Sequence, residues 1–204
     1  MDLHLSPEER KLLLDLAYAA VKATAEGSPT PQLSLDQLPP SLHQPGATFV
    51  TLTCEGVLRG CIGTTNSVQS LVEDTLQRAC LAASSDPRFP AIAPEEVPHL
   101  EIEVSVLSPP QPLEYATPEQ LLERLRPGID GVILQRGLHR ATFLPQVWER
   151  VGNPTTFLEL LCQKASLHRD AWRSEAVQIE IYQVESFHRE PDTGRGNPEN
   201  VGPG

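Results

Sequence analysis

The segment Val-Leu-Arg-Gly-Cys-Ile-Gly at positions 57–63 predicts a short β-strand, because its residues are mostly apolar or β-branched and glycine bounds it on both sides. Side chains alternate between the two faces of a strand, so Arg59 and Cys61 are expected to project from the same face. A nearby cation favours the thiolate, which is the nucleophilic form of a cysteine. Gly60 and Gly63 leave room beside the sulfur for another molecule or another backbone. This segment is therefore the first candidate for a functional site.

A structural interpretation fits the same residues equally well. A free cysteine is most often a small core residue, and Arg59 could form a salt bridge with a carboxylate elsewhere. Glycines in a strand also let two backbones pack closely without any ligand. The sequence therefore leaves two hypotheses open for Cys61: a reactive thiol and a packed structural residue.

The residues before this segment predict the partner strand of a β-hairpin. Positions 48–54 have the pattern of a strand, and Glu-Gly at 55–56 suits a two-residue turn. In this register Cys54 and Cys61 share a face, and Val50 lies opposite Cys61. The two cysteines are then roughly 13 Å apart along the strand, beyond the ~7 Å between Cα atoms that a disulfide allows.

Composition disfavours several classes of function. The chain of 204 residues carries 27 acidic and 16 basic side chains, a formal net charge of −11, so nucleic-acid binding is not expected. No stretch approaches the ~20 apolar residues of a membrane span, and the N-terminus lacks a secretory signal. We therefore expect a cytoplasmic protein with no membrane partner.

Metal and cofactor sites are also not expected from the sequence. The four cysteines show no CxxC pairing, and the six histidines show no HxxxH spacing. The glycine-rich motifs that bind dinucleotides or nucleoside triphosphates do not occur. The expected set of cofactors and metals is therefore empty.

Apolar periodicity along the chain predicts an α+β fold. A hairpin, a helix and a strand follow one another twice, over residues 48–107 and 129–185. This order suggests two related halves that share a mostly antiparallel sheet flanked by helices. In the first half, Asn66 and Gln69 resemble a capping box at the start of the helix, and Asp74 is expected on its exposed side.

Three further segments complete the predicted organisation. Ser-Pro-Glu-Glu at 6–9 is typical of a helix start, and this helix should occupy residues 6–26. Residues 28–46 carry five prolines and predict an irregular connection, either a surface connector or a cover over the site. Residues 188–204 are rich in Pro, Gly and Asn and are expected to form a disordered tail.

Three motifs occur in order along the chain. They are Leu-Arg-Gly-Cys-Ile-Gly at 58–63 (the LRGCIG segment), Asp-Pro-Arg-Phe-Pro at 86–90, and Phe-Leu-Pro-Gln-Val-Trp at 143–148. Together they resemble the AMMECR-one family, the A component of the AmmeMemoRadiSam systems. The resemblance covers roughly residues 10–187 and departs from the family pattern at Ser166, where glycine is expected.

The resemblance implies an AMMECR-one domain over residues 1–187, with two β-rich lobes around a barrel-like sheet and a cleft near the LRGCIG segment. It also implies partners rather than a defined reaction. Bacterial and archaeal members are associated with Memo-like dioxygenase-type proteins and radical-SAM enzymes, and eukaryotic relatives with regulation.

Two functional hypotheses follow. In the first, the protein is an enzyme of undefined reaction, with Cys61 as a nucleophile toward an unknown small molecule and Arg59 favouring its thiolate. The residues that could complete the site or bind the substrate are Gly60, Gly63, Asp86, Arg88 and His139. In the second, the protein is a non-catalytic binding or regulatory module, the LRGCIG segment is structural, and Arg88 simply pairs with Asp86 in a turn.

Overall fold

A computed structural model of the chain describes residues 5–31, 38–174 and 176–192. Helices and antiparallel strands both occur, which confirms the α+β class. The α-helices in these ranges are α1 (Pro7–Ala25), α2 (Leu71–Ser84), α3 (Pro118–Arg124), α4 (Trp148–Val151) and α5 (Pro154–Lys164). The strands are β1 (Pro45–Cys54), β2 (Val57–Gly63), β3 (Gln69–Ser70), β4 (Leu100–Leu107), β5 (Gln111–Pro112), β6 (Gly131–Arg136), β7 (His139–Phe143), β8 (Gln178–Tyr182) and β9 (Val184–Arg189).

The described chain divides into two compact units: a first unit of residues 5–106 with 186–192, and a second unit of residues 107–185. The strands form two sheets, with the orders β2-β1-β4-β9 and β5-β8-β6-β7, and β3 pairs with β1. Neither sheet closes into a barrel within the described residues. The sequence predicts one shared, barrel-like sheet, and this part of the prediction is wrong because the two sets of strands pair only among themselves.

Capping residues fix the starts of the two long helices. Ser6 and Glu9 form a reciprocal capping box at α1, which confirms the predicted start of that helix. The α2 helix begins later than its sequence predicts, with the capping box at Ser70 and Glu73. The reason is that Gln69 and Ser70 pair with β1 as a short strand before the helix begins.

The α2 helix also buries a carboxylate that the sequence places on its exposed side. Asp74 is fully buried, and one of its oxygens accepts hydrogen bonds from the backbone N–H and the hydroxyl of Thr48, both at 2.8 Å. The other oxygen accepts from Gln69 and from the guanidinium of Arg78. This network ties α2 to β1, and helical periodicity alone could not reveal it.

The predicted hairpin of β1 and β2 is confirmed, and its register contains one irregularity. Glu55 and Gly56 both adopt positive φ, at 50° and 78°, as a two-residue hairpin turn requires. Leu52 lies opposite Gly60 but Thr53 lies opposite Leu58, which leaves Arg59 as a bulged residue. The residue opposite Cys61 is consequently Thr51, and the predicted pairing with Val50 is wrong by one position.

The second unit has its own core, and the motif at 143–148 contributes to it. The ring of Trp148 stacks on Phe157 with centroids 3.6 Å apart, and its indole N–H donates to the carbonyl of Asp130 at 2.7 Å. The buried carboxylate of Asp130 in turn accepts hydrogen bonds from the backbone and the guanidinium of Arg126. These contacts show that Trp148, the last residue of the motif, packs in the core of the second unit.

Three remaining features concern the connecting segments. The irregular connection at 28–46 lies partly outside the described residues, and its described part contains a 3₁₀ turn, Pro40–His43. Strand β9 extends to Arg189, two residues into the segment predicted as a disordered tail, and residues 193–204 lie outside the described residues. No helix in the described ranges has the length and apolarity to cross a membrane.

Candidate functional site

The LRGCIG segment forms most of β2, which is an edge strand of its sheet. At Cys61 the open side of this edge is covered by the motif at 86–90. The backbone N–H of Cys61 donates to a carboxylate oxygen of Asp86 at 2.9 Å, and its carbonyl accepts from the guanidinium of Arg88 at 3.3 Å. Two side chains thus take the place of a neighbouring strand, which satisfies backbone groups that an edge otherwise leaves open.

Asp86 and Arg88 form a compact ion pair, as the structural interpretation of this motif predicts. Asp86 is only 4% exposed, and its carboxylate accepts hydrogen bonds from the backbone N–H, Nε and Nη2 of Arg88 at 2.7–3.1 Å. Chiefly because of these side-chain hydrogen bonds, the pKa of Asp86 lies well below its usual range. The hydrogen bonds to Asp86 also raise the pKa of Arg88, and Cys61 makes a smaller contribution to this increase.

Arg59 contacts a carboxylate rather than the thiol of Cys61. Its Nε and Nη2 donate to the two oxygens of Glu96, at 2.7 and 3.0 Å, in a half-buried bidentate pair. These hydrogen bonds raise the pKa of Arg59 and lower that of Glu96. The sequence predicts that side chains alternate strictly between the two faces of β2. The bulge at Arg59 interrupts this alternation, so strict alternation does not determine the direction of the Arg59 side chain.

The surroundings of the half-buried Cys61 thiol therefore differ from those expected. The hydroxyl of Thr51, on the opposite strand, donates to the sulfur at 3.3 Å. The guanidinium of Arg88 binds the backbone carbonyl of Cys61, whereas that of Arg59 is held by Glu96. All four cysteines are free.

The two glycines of the segment face groups of the protein itself. A Cβ atom on Gly60 would lie 2.2 Å from the carbonyl oxygen of Ala82 in α2. A Cβ atom on Gly63 would lie 2.1 Å from the ring of Phe49, its partner on β1. The room that the sequence predicts beside the sulfur is thus occupied at Gly60 by another backbone and at Gly63 by an aromatic ring.

The structure brings together Cys61, Asp86 and Arg88 of the candidate residues. His139 belongs to the other compact unit, at the start of β7. Its ring is exposed, and Nδ1 lies 3.0 Å from the carbonyl oxygen of Ala165. This contact links the β6–β7 hairpin to the end of α5.

Two residues that contact the segment are absent from the sequence prediction. Thr51 comes opposite Cys61 only because the bulge shifts the register by one. Glu96 lies in a 3₁₀ turn, Pro94–His99, 37 positions beyond its partner Arg59. Neither contact has a local signal in the sequence, since a bulge and a long-range ion pair are both products of packing.

A cavity of about 500 Å³ lies within the unit of residues 107–185. It is lined by Pro112, Leu113, Glu114, Tyr115, Ala116, Thr117, Pro118, Gln135, Arg173, Ser174, Val177, Gln178, Ile179 and Glu180. None of these residues belongs to the LRGCIG segment. The cleft that the resemblance implies at that segment stays a prediction.

The described residues contain no group of three or more His, Cys, Asp or Glu side chains placed to hold a metal ion. The groups that contact Cys61 are the hydroxyl of Thr51, the carboxylate of Asp86 and the guanidinium of Arg88.

The fold and the site together define a class: an α+β protein of two units in which an LRGCIG edge strand is closed by an Asp-Pro-Arg motif. The AMMECR1 family model matches residues 14–187, and the chain belongs to that family. The resemblance drawn from the three motifs is thereby confirmed.

Relatives of known sequence and structure agree with this assignment. A protein of Methanothermobacter thermautotrophicus is 38% identical over 187 residues, 91% of this chain and 97% of the relative. A protein of Thermofilum pendens is 38% identical over 194 residues, 90% of this chain and 91% of the relative. The crystal structure of an uncharacterised protein from Pyrococcus horikoshii is similar with a TM-score of 0.80 at 34% identity, covering 94% of this chain and 96% of that one.

Proposed function

We propose that this AMMECR1-family protein is a non-catalytic binding module in which the LRGCIG segment is architectural. One observation carries the proposal: the buried carboxylate of Asp86 binds the backbone N–H of Cys61 and thereby closes the edge of β2. A functional cleft needs groups that are free to meet a ligand. Here the side chain of Arg59 and the backbone of Cys61 are already bound by the chain itself.

The test separates the thiol from the edge contact by two substitutions. Cys61→Ala keeps the backbone contacts and should cost less than about 1 kcal/mol in the free energy of unfolding, because a half-buried thiol contributes little. Asp86→Asn replaces the carboxylate that accepts from the Cys61 N–H and the Arg88 guanidinium with a neutral amide. This change should cost about 1–3 kcal/mol in the free energy of unfolding. Urea unfolding at neutral pH measures both. An Asp86→Asn variant as stable as the unaltered chain would contradict the architectural role.

The partners of such a module are proposed from the family. Membership in the AMMECR1 family supports a Memo-like dioxygenase-type protein and a radical-SAM protein as partners, in the cytoplasm. Size-exclusion chromatography of a mixture with a purified Memo-like protein tests this, with Cys61→Ala as the matched variant. A complex that Cys61→Ala retains supports non-catalytic binding, and no complex with the unaltered chain contradicts the proposed partner.

A reactive thiol at Cys61 is the second candidate function, and a specific contact supports it. The thiol receives a hydrogen bond from the hydroxyl of Thr51, and the guanidinium of Arg88 binds the backbone carbonyl of the same residue. A hydrogen-bond donor and a nearby cation are the kinds of group that activate a cysteine. In this version Cys61 would act on a small molecule, with Arg88 in the role that the sequence gives to Arg59.

Alkylation by iodoacetamide, mapped by mass spectrometry, tests the second candidate. If the thiol is reactive, Cys61 is labelled faster than Cys162, whose pKa is raised by burial, and Arg88→Gln slows the labelling of Cys61. Arg59→Gln is the matched control and should leave the rate at Cys61 unchanged. Labelling of Cys61 only on unfolding would contradict the reactive thiol.

A further inference from the structure

The strand β7 (His139–Phe143) is an edge strand of the sheet β5-β8-β6-β7, so one side of its backbone has no neighbouring strand. Residue pairs in an antiparallel ladder alternate between hydrogen-bonded and non-hydrogen-bonded pairs. Arg136 and His139 close the two-residue turn as a hydrogen-bonded pair, so Thr142, three positions further along β7, turns its backbone groups away from β6. The Thr142 carbonyl accordingly accepts a hydrogen bond from outside the ladder, from Lys164 Nζ at 2.9 Å.

The edge of β7 is covered less firmly than the edge of β2. At β2 a buried carboxylate and its arginine bind the backbone of Cys61. At β7 the Thr142 carbonyl is bound by the ammonium of an exposed lysine, whose flexible stem allows it to move away. The edge of β7 can therefore exchange this ammonium for the backbone N–H of an incoming strand.

The surface beside this edge carries cations without acidic partners. Arg136 and Lys164 are both exposed, and among the described residues neither forms a salt bridge with a carboxylate. The exposed ring of His139, which pairs with Arg136 across the hairpin, lies with Nδ1 3.0 Å from the carbonyl oxygen of Ala165, the residue after Lys164. The sequence has no Asp or Glu from position 131 to 148. The end of the hairpin and the end of α5 thus present positive charge in a chain whose formal net charge is −11.

Leu138 adds apolar area at the end of the same hairpin. Its side chain is fully exposed, at 102%. Of the two turn residues, Gly137 has positive φ, at 60°, and Leu138 does not, which is the pattern of a turn with glycine in its first position. Polar residues such as Ser and Asn suit turns of this kind. Neither the turn nor the core therefore requires the leucine, and its apolar surface is available to a partner.

We propose that the edge of β7 is a docking site for an extended acidic segment of a partner protein. The segment adds beside β7 as a further strand, and one of its backbone N–H groups replaces the Lys164 ammonium on the Thr142 carbonyl. The released ammonium and Arg136 bind carboxylates of the segment, and one of its apolar side chains packs on Leu138. The inference rests on the proposed role as a binding module and names the surface and the class of partner.

Three peptide probes test the docking site by fluorescence anisotropy. The first is fluorescein-labelled Glu-Leu-Glu-Leu-Glu-Leu-Glu, the second has Gln in place of every Glu, and the third is the acidic peptide with N-methyl groups on alternate backbone nitrogens. We expect the acidic peptide to bind at least about tenfold more tightly than either of the others, which corresponds to ~1.4 kcal/mol. No binding of the acidic peptide overturns the proposal, and equal affinity for its N-methylated form overturns strand addition.

Matched variants assign the binding to residues of this surface. Arg136→Gln and Lys164→Gln should each weaken the acidic peptide at least about threefold and leave the glutamine peptide unchanged, whereas Leu138→Ser should weaken both peptides. Lys11→Gln, the same change at an exposed lysine of α1, is the control for charge and should have no effect. Urea unfolding checks that each variant is folded. Affinities that none of the three variants changes overturn the site, and so does a Lys164→Gln variant that self-associates without binding peptide, because Lys164 would then only protect the edge.

The docking site and the architectural role of the LRGCIG segment fail separately. Cys61→Ala should leave the affinity for the acidic peptide unchanged, because Cys61 belongs to the first unit and β7 to the second. Absence of peptide binding overturns the docking site while the loss of stability in Asp86→Asn still stands. Loss of peptide binding in Cys61→Ala contradicts the docking site as an independent surface of the second unit.

Discussion

At the scale of single residues, the LRGCIG segment depends on the small size of its members. Gly60 is small because the carbonyl of Ala82 occupies the place where a side chain would lie. Gly63 is small because the ring of Phe49 covers it. In both positions the absence of a side chain serves contacts within the chain, which is the structural explanation of a glycine in a strand.

Gly60→Ala should therefore destabilise the fold by about 1–3 kcal/mol, the usual cost of overpacking, because the new methyl group would overlap the Ala82 carbonyl. Gly56→Ala is the comparison: its φ of 78° is strained for alanine, but no atom lies within 4 Å of the added carbon. That change should cost ~1–2 kcal/mol. Urea unfolding measures both, and a neutral Gly60→Ala would show that the close approach to α2 is not tight.

At the scale of secondary-structure elements, polar side chains join the helices and strands of the first unit. Asp74 connects α2 to β1 through Thr48, and Asp86 connects the end of α2 to β2 through Cys61. In each case a buried carboxylate also binds an arginine close to it in sequence. Each carboxylate therefore combines a local ion pair with a long-range hydrogen bond to a strand.

Asp74→Asn should cost about 3–5 kcal/mol in the free energy of unfolding, because it removes one charge of a buried pair and leaves Arg78 without its anion. The exposed pair of Lys22 and Glu26, at 4.0 Å with the same spacing, is the matched control. Glu26→Gln should cost less than ~1 kcal/mol. Similar costs for the two variants would mean that the Asp74 network does not stabilise the junction of α2 and β1.

Local signals in the sequence predict the elements well and their junctions poorly. The capping box at Ser6 and the turn at Glu55 are encoded within a few residues, and the structure contains both. The bulge at Arg59 is not encoded in this way, because it follows from the fit of β2 against β1 and α2. A prediction that assumes a strand without a bulge places Val50 opposite Cys61, whereas the structure places Thr51 there.

At the scale of the whole molecule, acidic side chains outnumber basic ones by 27 to 16. Arginines bind the buried carboxylates of Asp74, Asp86 and Asp130 and the half-buried carboxylate of Glu96. The three motifs identify the family because the six-residue LRGCIG string is specific and the other two, which would be weak alone, follow it in order. The two separate sheets were not predictable, since periodicity indicates which residues form strands and not which strands pair.

Acid should destabilise the fold through Asp86 and Glu96. Hydrogen bonds from Arg88 and Arg59 lower the two pKa values in the folded state, so each group stabilises the fold above its unfolded pKa of ~4. This contribution is lost as the pH falls below ~4 through the lowered folded pKa values. Urea unfolding across this range should show a smaller loss of stability in Asp86→Asn than in the unaltered chain, and identical pH profiles would contradict the ion-pair account.

Hydrogen exchange of the Cys61 backbone amide tests the central claim most directly. This amide lies on the open side of an edge strand, where an amide without a partner exchanges rapidly, and here it donates to the buried Asp86. We expect protection comparable to that of amides in the interior of β1, and a loss of at least about tenfold in protection in Asp86→Asn. Exchange of the Cys61 amide in the unaltered chain as fast as that of the Gly56 turn amide would contradict the claim that Asp86 closes this edge.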